Sequence, residues 1–134
     1  MKVWSNRVVL AASIFVGFGV AHLIDDFLFG VPAEFNLSNQ AAQVLGLAFF
    51  AALTGLAALA GRGSRRSYVG FMVIGTLLAV ADVLKHVPEM LRAGPWRAGL
   101  ASEVFSIGLI VSGLTVALVS YLAWRQGRQR VADS

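Results

Sequence analysis

Residues 7–29 read RVVLAASIFVGFGVAHLIDDFLF. From Val8 to Ile24 the stretch has no carboxylate and no lysine or arginine, and its one ionisable side chain is His22. A helix needs about 20 apolar residues to cross the hydrocarbon core of a bilayer. This stretch has that length and composition, and it ends on a histidine and two aspartates. Three more segments share its character, so the chain reads as four spans at about 7–29, 39–60, 67–87 and 100–124.

The breakers between spans support the division. Gly30-Val31-Pro32 closes the first span, because proline disfavours a helical residue before it. Ser38 or Asn39 can cap the second span. Gly61-Arg62-Gly63-Ser64-Arg65-Arg66 is a tight polar turn, and Pro88, Gly94 and Pro95 mark the third connection. Short connections make neighbours antiparallel. The expected fold is therefore all-α: a polytopic membrane protein whose single domain, 1–134, is an up-down-up-down four-helix transmembrane bundle.

Composition agrees. Of 134 residues, 57% are apolar and 13% charged, and mean hydropathy is +0.74. Soluble domains carry about 25% charged residues. A short soluble chain with so few charges would present a greasy surface, and lipid removes that problem. The absence of cysteine excludes disulfides and thiolate metal sites. The net charge of +4 does not indicate nucleic acid, because the basic residues are spread among apolar spans. Gly17-Phe18-Gly19 lies inside a span and lacks the strand–loop–helix setting of a nucleotide site. The opening Met1-Lys2-Val3-Trp4-Ser5-Asn6-Arg7 has the outline of a signal peptide. The apolar run after it is too long and passes into His22 with no small-residue cleavage site, so it reads as a retained helix.

Charge sets the orientation. Lys2, Arg7, Arg62, Arg65, Arg66, Arg125, Arg128 and Arg130 fall on one side, and Lys85, Arg92 and Arg97 on the other. The positive-inside rule puts the larger group, and with it both termini, in the cytoplasm. The expected setting is the plasma membrane of a prokaryote. Asp25, Asp26, Glu34, Asp82, Glu89 and Glu103 fall in the outer half, and only Asp133 lies inside. Acids contribute little to insertion, so topology alone does not explain this bias.

The outer polar residues have a pattern. At about 1.5 Å per residue, His22 and Asp82 each lie about 22 Å along their spans, and Asp26 and His86 about 28 Å. His22 and Asp26 are one helical turn apart; Asp82, His86 and Glu89 form one stripe; Lys85 and Glu89 can pair. Ala21-His22-Leu23-Ile24-Asp25-Asp26 parallels Ala81-Asp82-Val83-Leu84-Lys85-His86, a weak sign of duplication. Gln43 and Glu103 would add polar groups from the second and fourth spans. Small residues at Ser13/Gly17/Ala21, Ser102/Ser106 and Gly113/Ala117 have the spacing that lets helices approach, most simply within one chain.

Four classes of function fit. The first is a polar site of His22, Asp25, Asp26, Asp82, Lys85, His86, Glu89 and Glu103 that binds or conducts a cation, a proton or a small polar ligand. Conduction would call for a homo-oligomer, since four helices make a small pore. Histidine titrates near neutral pH, so protons would compete for such a site. The second is a structural or accessory subunit of a larger membrane complex, whose polar residues only fix helix packing. The third is an enzyme on an apolar or lipid substrate, working by acid–base chemistry or through a divalent metal on His22, Asp26, Asp82 and His86. The fourth is a haem b protein with His22 and His86 as axial ligands, against which stands their difference of about 6 Å in depth. Each carboxylate also has a bland reading as a headgroup-level charge, and each histidine as a packed side chain. Asp82 is the hardest to explain in that way, because a carboxylate facing lipid costs several kcal/mol.

The orientation has a direct test. A reporter active only outside the cytoplasm, fused after Ser134, should be silent. Strong activity would invert the topology.

Overall fold

The computed structural model describes residues 2–92 and 99–132. Gly94, Pro95, Arg97 and Asp133, used above for the third connection and the charge balance, lie outside the described residues. The described chain is helical with no strand. Four helices are long and apolar enough to cross a membrane: α1 (Lys2–Leu28), α3 (Asn39–Gly61), α4 (Arg65–Met90) and α5 (Gly99–Ala132). A fifth, α2 (Val31–Glu34), is a single turn between α1 and α3.

The helix ends follow local chemistry. Gly30 takes φ 73°, which costs an L side chain more than it costs glycine, and the chain turns there. Pro32 then sits in the first turn of α2, where its missing N–H is no loss. Sequence reading treats 30–38 as an irregular connection, and the turn of helix is an addition to it. Ser38 caps α3, its hydroxyl accepting from the Ala41 N–H at 3.2 Å. Gly63, at φ 80°, reverses the chain between α3 and α4.

Two ends differ from expectation. Pro88 lies inside α4 rather than after it, and the helix continues to Met90. Leu91 N–H still donates to the Val87 carbonyl at 3.1 Å, so the turn holds without the proline's donor. Helix α5 continues beyond 124 as a polar tail to Ala132, which apolar-span counting cannot detect.

Helix α5 packs against both α1 and α4, and α3 packs mainly against α1. The core holds Val8, Phe15, Leu53, Phe71 and Val116, all nearly inaccessible. Leu10, Leu47, Leu77 and Leu118 point outward. An apolar outer surface suits lipid and not water. At the end bearing the α1 N-terminus, Ser5 and Tyr68 share a hydrogen bond of 2.8 Å, and Arg65 donates to the Gly127 carbonyl. At the opposite end, Ser102 donates to Asp25, joining α5 to α1.

Small residues bring α4 and α5 together. A Cβ on Gly75 would lie 2.6 Å from the Gly113 carbonyl oxygen, and one on Gly113 would lie 2.9 Å from the Gly75 oxygen. Ser102 and Ser106 are likewise buried. The Ser13/Gly17 part of the α1 row faces outward instead. The space beside Gly17 is open, and the Ser13 hydroxyl donates to its own helix at Val9. Spacing alone does not reveal which face a neighbour covers.

Gly75→Ala should therefore cost about 1–3 kcal/mol, the usual penalty for overpacking. Gly17→Ala should be neutral or slightly stabilising, through helix propensity. Thermal unfolding in detergent measures both, and equal effects would contradict the close crossing.

Candidate functional site

Two side-chain pairs, each one turn apart on its own helix, face each other across α1 and α4. On α1, His22 Nε2 lies 3.7 Å from Asp26 Oδ2. On α4, His86 Nε2 lies 3.3 Å from Asp82 Oδ1. Between the helices, His22 Nε2 lies 3.3 Å from the same Asp82 Oδ1. The two imidazoles meet edge to face, with centroids 5.1 Å apart and planes at 86°. One ligand atom from each of His22, Asp82 and His86 falls within 4.8 Å of the others.

The cluster is dry. Asp82 is 6% exposed and His86 4%, and the His22 side chain 12%. Burying a carboxylate costs energy unless other groups compensate. Asp82 Oδ1 faces two imidazole nitrogens, but Asp82 Oδ2 and His22 Nδ1 are buried without a hydrogen-bond partner among the described residues. Charge-assisted N–H···O bonds run at about 2.7–2.9 Å. Both contacts to Oδ1 are longer.

The sequence-derived site divides. His22, Asp26, Asp82 and His86 come together, the first three as sequence depth and helical phase would have them. His86, one turn beyond Asp82 on the same stripe, reaches it as well. Side chains on a helix lean toward its N-terminus, which brings the longer histidine back over Asp82. Asp25 is held apart by Ser102. Lys85 is 5.5 Å from the centre of the Phe35 ring, a cation–π contact. The Glu89 side chain lies outside the described residues. Glu103 is partly buried on α5 and stands outside the converging group. Gln43 is exposed, so α3 does not supply the polar group expected of it.

What α3 supplies is an apolar wall. A cavity of about 370 Å³ lies between α1, α3 and the segment around α2, with His22 and Asp26 in its lining. Phe15, Leu53 and Leu109 of the core line it as well. Sequence reasoning does not find this cavity. The signal available was Val31, Phe35 and Leu37, large apolar residues in a short connection between spans.

Three oxygen and nitrogen donors from two helices can hold a divalent cation. Two imidazoles and one carboxylate suit zinc or iron(II). Two axial histidines of one haem bind from opposite faces of the disc. Here both Nε2 atoms approach one carboxylate oxygen, with ring centroids 5.1 Å apart, and this does not suit a shared haem. Compared with family models, curated proteins and solved structures, the chain matches none.

Proposed function

We propose that this protein is a multi-pass membrane protein that binds one divalent transition-metal ion at His22, Asp82 and His86. One observation carries the reading: both imidazole nitrogens stand 3.3 Å from Asp82 Oδ1. Ligand atoms at about 2.0–2.1 Å from a tetrahedral zinc ion lie about 3.3 Å from one another. Two of the three ligand spacings match that value, all three atoms lie within 4.8 Å of one another, and the two contacts are longer than the usual charge-assisted hydrogen bond.

The accompanying topology is an antiparallel four-helix bundle with both termini in the cytoplasm and the metal near the outer face. Support comes from Arg65, which reaches Gly127 at the end away from the histidines. That end carries most of the basic residues.

A centre with three protein ligands keeps a position open for water or another molecule. Asp26, 3.7 Å from His22 Nε2, would be the nearest carboxylate base for a ligand bound there. Binding is favoured over conduction, since Phe15, Leu53 and Phe71 close the core below the site. It is also favoured over a purely structural role, because two imidazole nitrogens converge on one carboxylate oxygen where a single pairing would suffice to fix helix packing.

Metal-stripped protein in detergent should take up one zinc or cobalt ion per chain. Asp82→Asn and His86→Gln should each lower affinity by at least about 100-fold, more than loss of an outer-shell partner usually costs. Titration calorimetry, with the cobalt visible spectrum as a second readout, measures this. Absence of uptake, or variants that bind as the parent does, would overturn the proposal.

A further inference from the structure

The cavity beside the histidines has the make-up of a small-molecule site. Such sites are concave and mostly apolar, have volumes of about 300–1,000 Å³, and carry a few convergent polar groups. This one encloses about 370 Å³, and its titratable lining among the described residues is confined to His22 and Asp26.

Its mouth identifies where a ligand comes from. Leu45 and Phe35, both in the lining, are 59% and 62% exposed. An apolar rim admits a molecule dissolved in hydrocarbon more readily than one in water. A second groove, of about 460 Å³ between α1 and α5, makes a useful contrast. Its lining includes Ile14, Phe18 and Ile107, and its polar side chains among the described residues are the hydroxyls of Ser112 and Thr115, with no titratable group to face a metal-bound head.

We propose that the cavity binds an apolar molecule with a hydroxyl head, the tail lying against α3 and the hydroxyl meeting the metal and Asp26. This rests on the metal reading above and names the ligand of the open position. The choice of head follows from the charges. A carboxylate head would be repelled by Asp26. A protonated amine has no lone pair for a metal. An alcohol has both a lone pair for the ion and a proton to donate to Asp26.

The test uses zinc-loaded protein in phosphatidylcholine nanodiscs and a long-chain diazirine-bearing alcohol. Unlabelled alcohol should compete at least about tenfold better than the alkane of equal length, the worth of one charge-assisted hydrogen bond. Crosslinks should fall on the α2–α3 wall and not on the α1–α5 groove. Ala42→Phe and Leu45→Trp, which fill the cavity and its mouth, should abolish the labelling while zinc stays bound. Zinc content is measured on the same samples. Zinc bound with alcohol and alkane competing equally would overturn this inference and leave the metal centre standing. Labelling that survives both filling variants would also overturn it. No zinc bound would overturn both proposals.

Discussion

Asp82 is a carboxylate in an apolar helix, and the arrangement around it follows from its need for compensation. Left facing lipid it would cost several kcal/mol. It is turned inward and set between two histidines, one on its own helix and one on α1. That contact fixes the rotation of α4 and the relative height of α1 and α4. Helix α5 then fills the space against both, with Gly113 meeting Gly75 and Ser102 holding Asp25. Within a bilayer such contacts matter more than apolar burial, since lipid is as apolar as the core.

Much of this was readable from the residues. The spans were, because a run such as 7–29 has one plausible solvent. So was the meeting of His22 with Asp82, because helical rise sets depth and phase sets the face. The contact of His86 with Asp82 follows from their spacing of one turn in the same way. The row Ser13/Gly17 was assigned to packing on spacing alone, and it faces outward. The cavity was not legible at all. It arises where α3 stands off from the rest of the core and α2 folds under it, a tertiary arrangement that no local pattern encodes.

The polar group and the cavity make sense together. Polar atoms in hydrocarbon are kept where they do something that apolar side chains cannot. Here they sit at the inner edge of a volume open to apolar surroundings, with one carboxylate, Asp26, toward that volume and another, Asp82, away from it. In the proposed reading, this division separates holding an ion from receiving a ligand. It gives two of the six outer acids, Asp26 and Asp82, a use that membrane insertion does not require.

The central claim is that His22, Asp82 and His86 share one ion. X-ray absorption at the zinc edge of loaded protein reads its surroundings directly. The account predicts a four-atom shell of nitrogen and oxygen at about 2.0–2.1 Å, with the outer-shell scattering of two imidazoles. A shell of oxygen alone, without imidazole scattering, would contradict it.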